Sequence, residues 1–444
     1  MPQPEAPVYC RLLPRSVRAL FENRPALLAI VVNSSWLLFD KLARLLLGAL
    51  VGIWVARYLG PQQFGQLAYV LAYIAFFQAV ANLGADNIVV RNLVRNRATA
   101  SQILGTAFVL RLAAGLACWL VAVALMYVSA AGDLQTVLLT AIIGAGLVFQ
   151  ATDTIDLWFQ SQSQSRRTVV AKLAGYLAAN GLRVALVLIQ APLSAFAAVA
   201  AFDALVCAIG LALAYRRFPA PGPWRAISQQ ARSLLADSWP FMLSGLSIIV
   251  YMRIDQIMLK EMLGDRELGI YAAALQLSQI WHVIPVTLAT SFAPFVAAKK
   301  NLGQRQYEES LLAIFRLFGA IALVVSITTA LASSALMSLL YGPAYDGAAT
   351  ILAIHVFSNL FVFQGVAQGL WLANEGAGRL SIVKTLLGAI VAVVGNLLLL
   401  PHLGAKGAAI VAILSFGTSA VFSNALFAPR ILAMQFGLRP KAEQ

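Results

Sequence analysis

Twelve long apolar stretches run through this sequence, and they limit the fold more than any other feature. Each is long enough to cross a bilayer as a helix, which takes about 20 apolar residues. The chain is 60% hydrophobic and 11% charged, whereas a soluble domain carries about 25% charged residues. We therefore predict an all-α integral membrane protein rather than a barrel of short alternating strands. The predicted spans are the opening helix within 33–65 and then 66–84, 101–128, 135–158, 168–190, 193–215, 239–260, 268–291, 308–339, 347–372, 380–400 and 405–429.

The net charge of +14 would suggest a nucleic-acid partner in a soluble protein. Here most basic residues lie between apolar spans, so the positive-inside rule accounts for them and no nucleic-acid partner is expected. Twelve spans with a cytoplasmic N-terminus place twenty basic residues inside and only four outside. The outside four are Arg57, Lys260, Arg266 and Lys406. This asymmetry predicts that both termini are cytoplasmic.

The chain divides into two similar halves. Leu59-Gly60 and Phe64-Gly65 recur as Leu263-Gly264 and Leu268-Gly269, with the same spacing between the two pairs. Trp158, Arg167 and Lys172 recur in the same order as Trp371, Arg379 and Lys384. We predict two six-helix bundles related by an axis along the membrane normal, with a cavity between them. The predicted segments are a cytoplasmic tail (1–25), a first bundle (26–215), a cytoplasmic linker (216–237), a second bundle (238–432) and a cytoplasmic tail (433–444).

The residue types that carry most soluble-enzyme chemistry are sparse. Three cysteines and three histidines are scattered, so the sequence indicates neither a disulfide nor a metal site. No nucleotide-binding glycine loop and no metalloprotease motif is present. We therefore expect no enzymatic activity, no cofactor and no bound metal.

Charged residues inside the opening helix are the first candidates for function. Asp40, Lys41 and Arg44 share one side of the helix with Asn33 and Gly48. Because a charge at the bilayer centre costs about 2.5–3.5 kcal/mol, such residues face a bundle interior or a watery cavity. The favoured interpretation is a cavity wall, and the alternative is a charge cluster that only fixes helix packing.

Other basic residues also fall within spans. Lys172 and Lys384 lie near helix ends, where we expect them to reach the interface as anchors. Deeper positions are Arg111, Arg183, Arg253 and Arg316, and packing partners or ligands are equal expectations for Arg111 and Arg316. With Lys41 and Arg44, these residues predict a positive cavity suited to phosphate, which arginine binds through its planar fork. Asp255 lies about 200° around the helix from Arg253, and the pattern leaves open which of them faces the cavity.

The run Tyr58-Leu59-Gly60-Pro61-Gln62-Gln63-Phe64-Gly65 resembles a turn that follows the first helix of polysaccharide-biosynthesis membrane proteins, the Wzx-type flippases. Tyr341-Gly342-Pro343-Ala344-Tyr345 is similar to a second family motif, and 396–410 is similar to the family's pattern for its last two helices. The resemblance covers the whole chain in order and extends to the superfamily of multidrug and oligosaccharidyl-lipid exporters.

The resemblance implies that the protein moves an undecaprenyl-diphosphate-linked oligosaccharide between the leaflets of a bacterial inner membrane by alternating access. It implies a lipid-linked oligosaccharide and bilayer lipids as partners, together with a polysaccharide polymerase and a chain-length regulator. A cation-coupled multidrug or lipid exporter is the alternative, although such a pump should favour acidic cavity residues. A membrane glycosyltransferase is an alternative from a different class, and it would need acidic catalytic residues and a large outer loop.

Directional transport without a nucleotide site points to coupling with H+ or Na+. A carboxylate in a cavity is the usual ion carrier. Asp40 is the first candidate, since it lies one helical turn from Arg44, and Asp203 and Asp255 follow. A permanent Asp40–Arg44 pair that only fixes helix geometry is the open alternative.

Overall fold

The computed structural model describes residues 25–129 and 132–439; within the first helix, side chains are described at Arg44, at Leu45 and from Leu47 onward. All regular structure in these ranges is helical. The α-helices of the first half are α1 (Pro25–Ala81), α2 (Asp86–Arg95), α3 (Ala100–Ser129), α4 (Leu134–Gly144), α5 (Gly146–Phe149), α6 (Asp153–Ser161), α7 (Ser165–Leu188) and α8 (Leu193–Arg217). Those of the second half are α9 (Ser228–Leu263), α10 (Asp265–Gln279), α11 (Val283–Leu302), α12 (Gln304–Leu340), α13 (Ala348–His355), α14 (Ser358–Glu375), α15 (Gly378–Gly417), α16 (Asn424–Phe427) and α17 (Pro429–Gln435).

Within the described ranges, ten helical stretches are long and apolar enough to cross a membrane. The first and last of them, 47–95 and 378–427, are 49 and 50 residues long, far more than one crossing needs. Backbone angles leave the helical region within α1 at Gly60 and within α15 at Gly404. These bends allow ten stretches to hold the twelve predicted crossings.

The sequence repeat is also a repeat of backbone conformation. Gly60 has φ 69° and ψ 171°, and its counterpart Gly264 has φ 89° and ψ 174°. Positive φ is open to glycine at little steric cost, so each half begins with a long helix that breaks at a glycine and continues as a second helix.

The two repeated turns meet each other at one end of the bundle, which we call the motif end. A Cβ atom placed on Gly65 would lie 1.8 Å from the carbonyl oxygen of Asp265, and one on Gly269 would lie 1.9 Å from that of Pro61. Pro61 and Asp265 are themselves counterparts in the repeat, as are Gly65 and Gly269, so the two contacts are reciprocal. We name these four residues the glycine crossing.

The largest buried cluster spans both halves at the motif end. It contains Val55 and Tyr69 from the first half and Leu259, Tyr271 and Tyr345 from the second. A second cluster lies within the second half around Phe315, Phe318 and Phe363. A third lies around Leu93 and Phe159 of the first half and also includes Leu234 of α9. Many large apolar side chains remain exposed along the spans, as expected for a surface that faces lipid.

The connection between the halves is shorter than the predicted linker, because α9 already begins at Ser228. Its non-helical part is fixed to the first half. The indole of Trp224 donates to the Tyr215 hydroxyl at 2.6 Å, and the Arg225 backbone NH donates to the Ser101 carbonyl at 3.3 Å.

Candidate functional site

The motif end is closed by contacts between the halves. Beside the glycine crossing, the Tyr345 hydroxyl donates to the Ala56 carbonyl at 2.5 Å, and the Tyr69 hydroxyl donates to Glu261 at 2.8 Å. Burial raises the pKa of Tyr345, so its hydroxyl stays protonated and remains a donor. These contacts join the two halves at this layer in the present conformation.

Gln276 of α10 marks the next layer along the interface. Its amide donates to the Ala49 carbonyl of α1 at 3.3 Å, and its carbonyl accepts from the Tyr341 hydroxyl at 3.2 Å. A Cβ atom on Gly52 would lie only 2.2 Å from the Gln276 amide nitrogen. The absence of a side chain at Gly52 therefore allows this glutamine to approach α1.

Arg44 lies on α1 further from the motif end, where it packs against α7. The Tyr176 hydroxyl donates to the Arg44 carbonyl at 2.8 Å, and the guanidinium carbon lies 4.8 Å from the centre of the Tyr176 ring. A cation over a tyrosine ring gains about 0.5–2 kcal/mol, with the larger value for desolvated pairs. A Cβ atom on Gly48 would lie 2.3 Å from the Tyr176 hydroxyl oxygen, so Gly48 makes room for the ring. These contacts fix the backbone that carries Arg44, and the residue as a whole is half-buried.

Two further candidates lie on the helices beside Arg44. Asp203 of α8 is half-buried, and its carboxylate lies 3.6 Å from the Cys207 sulfur. Arg183 of α7 is also half-buried and donates to Asn180 at 3.3 Å, within its own helix. Both remain predictions as ligand or coupling residues.

The structure shows which way the charges of α9 point. Asp255 is buried, where it accepts hydrogen bonds from the Tyr271 hydroxyl and, at 2.8 Å, from the Gln256 backbone NH. Arg253 lies on another side of the helix and is half-buried. Asp255 therefore ties α9 to α10, and of the two residues Arg253 is the one left with exposed surface.

Two predicted arginines lie in other surroundings. Arg111 is buried in the first half and forms an ion pair with Asp86 at the start of α2. Arg316 is exposed on α12 and donates to the Gly437 carbonyl at 3.2 and 2.6 Å, which fastens the segment after α17. Both residues make contacts of the kind expected for packing partners, the alternative to ligand binding. The side chains of Asp40 and Lys41 lie outside the described part of the structure.

The anchor interpretation is wrong for Lys384 and incomplete for Lys172. Lys384 is 2% exposed and donates to Gln368 at 2.5 Å and to Asn424 at 2.6 Å. Lys172 forms ion pairs with Asp153 at 2.7 Å and Asp156 at 2.9 Å. These two acids lie on the helix just before the lysine's own, which is a signal for the pairing. Gln368 lies at the same separation before Lys384 but carries no charge, and nothing local in the sequence identifies Asn424 as the other partner.

Sequence reasoning also missed a buried polar group in the second half. The ring of His355 lies 2.9 Å from the Ser278 hydroxyl, and Asn359 donates to the Ser278 carbonyl at 3.2 Å. These residues join α10, α13 and α14 beneath the Asp255–Tyr271 contact. Among the side chains that the structure describes, no three histidine, cysteine or acidic residues converge as a metal site requires.

Comparison with known proteins identifies the family. A family model described as polysaccharide biosynthesis protein matches residues 30–298, more than half of the chain. The protein belongs to that family. No curated protein matches the chain.

Solved structures share the fold. An inward-facing multidrug resistance MATE transporter of the MOP superfamily has a TM-score of 0.72 at 16% identity, covering 88% of this chain and 96% of its own. The lipid II flippase MurJ in an inward closed conformation has a TM-score of 0.71 at 11% identity, covering 90% and 89%. A MOP superfamily transporter from Pyrococcus furiosus, described as having a binding pocket of reverse polarity, has a TM-score of 0.66 at 17% identity, covering 92% and 96%. These relationships confirm the predicted fold of about twelve helices in two bundles.

Proposed function

We propose that this protein is a flippase that carries a lipid-linked oligosaccharide across the membrane by alternating access. The match to the polysaccharide biosynthesis family carries the proposal, because it ties the chain to polysaccharide biosynthesis. The fold supports a transporter or flippase but does not choose the cargo, since the three solved structures compared above are only 11–17% identical. An undecaprenyl-diphosphate carrier is the proposed lipid.

The proposed path lies between the halves, on the side of the Gln276 layer away from the motif end. Arg44 and Arg253 are the proposed diphosphate ligands, because each combines a fork of donors with an incompletely buried side chain. Lys41 and Arg183 would add supporting charge. With the motif end closed, the present conformation would receive substrate from the opposite, cytoplasmic side.

The location follows from the same proposal. The chain is a multi-pass membrane protein, and the proposed site is the bacterial inner membrane with both termini in the cytoplasm. A polysaccharide polymerase and a chain-length regulator would act on the product after translocation.

Multidrug or other lipid export is the second candidate, because a multidrug transporter shares the fold. The charges of the interface weigh against it. A cation exporter needs a negative cavity, whereas the interior candidates here are mainly arginines. Expression in a drug-sensitive strain, with and without Arg44→Ala, tests this alternative.

Translocation in reconstituted vesicles tests the proposed function. Purified protein is placed in proteoliposomes that contain undecaprenyl-diphosphate-linked oligosaccharide, and a membrane-impermeant glycosidase reports the fraction of sugar in the outer leaflet. We expect protein-dependent movement that exceeds the rate in empty vesicles and is lost in Arg44→Ala. Equal rates with and without protein, for several lipid-linked sugars, would refute the proposal.

Coupling to H+ or Na+ is part of this proposal. Asp40 would release Arg44 when protonated, so that substrate and ion compete for one arginine. Asp203 is the next candidate, while Asp255 is already engaged by Tyr271.

A further inference from the structure

The two halves hold a lysine at equivalent positions, but the groups that surround the lysine differ in charge. Lys172 of α7 and Lys384 of α15 are counterparts in the sequence repeat. Lys172 is neutralised by Asp153 and Asp156 of α6. Around Lys384, the hydrogen-bond acceptors within reach are the neutral oxygens of Gln368, Asn424 and Ala420.

The positions that should supply acids in the second half carry none. The Leu157-Trp158 and Leu370-Trp371 pairs align the two helices that precede these lysines. That alignment sets Asp153 and Asp156 against Val366 and Gly369 of α14, whereas spacing from the lysines sets them against Gly365 and Gln368. All four residues are uncharged. Nothing lies within 4 Å of the place where a Cβ atom of Gly369 would be.

A cavity lies beside these uncharged positions. It has a volume of about 400 Å³ and lies among α9, α11, α14 and α15, within the second half rather than between the halves. Val366, Gly369, Gln368 and Lys384 all line it. Most of the remaining wall is apolar, and the hydroxyls of Ser381, Ser419 and Tyr251 interrupt it.

We propose that this cavity binds an oxyanion, a phosphate carried on an apolar chain, which supplies to Lys384 the negative charge that Asp153 and Asp156 supply to Lys172. A buried ammonium is costly unless it is paired. The Lys384 Nζ atom lies 2.5 Å from the Gln368 side-chain oxygen and 2.6 Å from that of Asn424, but its third contact, to the Ala420 carbonyl, is 3.4 Å long. The proton of that third contact is available for a stronger acceptor in the cavity.

The apolar walls select the form of the anion. A hydrated free ion would gain nothing from Ile248, Met252 and Phe361, whereas an acyl or prenyl chain would bury against them. The phosphate of a membrane lipid therefore fits better than free phosphate, and the two sources can be separated by measurement. This site does not depend on the proposed translocation path.

Binding of dodecyl phosphate to the purified full chain in phosphatidylcholine nanodiscs tests the proposal. We expect saturable binding to the wild type. Gly369→Asp should weaken it at least tenfold by restoring the acid found in the first half, and Gln368→Glu should do the same through the existing 2.5 Å contact. Both variants place a negative charge on the helix that faces Lys384, so both should fold with unchanged or higher thermal stability.

Two controls match these changes. Gly378→Asp adds the same charge at an exposed position with open space around it, and Lys406→Met removes an exposed lysine at another helix position. Each should bind within twofold of wild type, whereas Lys384→Met should lose binding. If inorganic phosphate competes with dodecyl phosphate equally well, the binding site is supported but its ligand is a free anion. Wild-type binding in both Gly369→Asp and Gln368→Glu would overturn the proposal, and it would leave the vesicle test of transport unaffected.

Discussion

The glycine crossing should control how often the motif end opens, and Gly269→Ala is the sharpest way to disturb it. A Cβ atom at Gly269 would lie 1.9 Å from the Pro61 carbonyl oxygen and 2.7 Å from the Pro61 carbonyl carbon. Both neighbours are backbone atoms, so no side chain can turn aside. The two turns must move apart until the closest distance reaches ordinary contact, at 3.4 Å or more.

The size of the effect follows from this overlap. Forcing a methyl group into a packed contact costs about 1–3 kcal/mol. If the strain is relieved when the halves separate at this end, the closed state loses that energy relative to the open state. The equilibrium then shifts toward the open state by about 5- to 150-fold. Gly65→Ala should act in the same way, because its contact with the Asp265 carbonyl is the reciprocal one.

Labelling of a buried cysteine measures the shift. Ala273 is fully buried in the cluster at the motif end, so Ala273→Cys in a chain without its three native cysteines should react slowly with an impermeant maleimide. When opening is fast relative to labelling, the rate follows the open population. We expect Gly269→Ala to raise the labelling rate by the same factor as the open population.

A matched substitution controls for general effects of alanine. Gly245 lies within α9 with nothing within 4 Å of its Cβ position, so Gly245→Ala should label at the wild-type rate. Wild-type rates in Gly65→Ala and Gly269→Ala, in protein of normal thermal stability, would refute the assignment of this contact as the closing device.

The remaining predictions concern the transport path and its orientation. Arg44→Ala should abolish translocation in vesicles while the protein still inserts into the membrane. Arg44→Lys should restore translocation only in part, since a point charge replaces a planar fork. Full activity of Arg44→Ala would make this arginine structural. Single cysteines introduced at Gly222 and Gly303 should react from the cytoplasm, and those at Gly132 and Gly347 should react from the periplasm. Labelling of either pair from the opposite side contradicts the predicted topology. Asp40→Asn should lose the dependence of transport on an ion gradient; if transport keeps both its rate and that dependence, Asp40 is not the coupling residue.

Sequence alone reached the fold because its strongest signals are periodic and long. Apolar runs of helical length predict membrane spans. The pairs Leu59-Gly60 and Phe64-Gly65 recur as Leu263-Gly264 and Leu268-Gly269, which predicts that Gly60 and Gly264 play the same part in each half. The structure gives both glycines nearly equal backbone angles. It adds the reciprocal packing of Gly65 and Gly269, which no pattern within one half could reveal.

Charges inside the spans were harder to interpret, because helical spacing gives a direction around a helix but not the neighbour in that direction. Arg316 and Arg44 are both arginines within apolar runs, yet one fastens the segment at Gly437 and the other lies over Tyr176. Partners far away in the sequence decide the difference. Asp86, by contrast, lies on the helix just before that of Arg111, so their ion pair was within reach of sequence reasoning that considered neighbouring helices together.

The halves thus remain alike where they touch and differ where they hold charge. At the motif end each half must fit the other's turn, so a side chain added at either glycine obstructs a backbone carbonyl in the turn of the other half. Lys172 and Lys384 have no such mutual constraint, since each is enclosed by its own half. One site could keep its acids while the other lost them, provided that something else compensates the buried ammonium. The symmetric crossing therefore suits the motion that both halves share, and the unsymmetric lysine sites are where the two halves can take on separate binding roles.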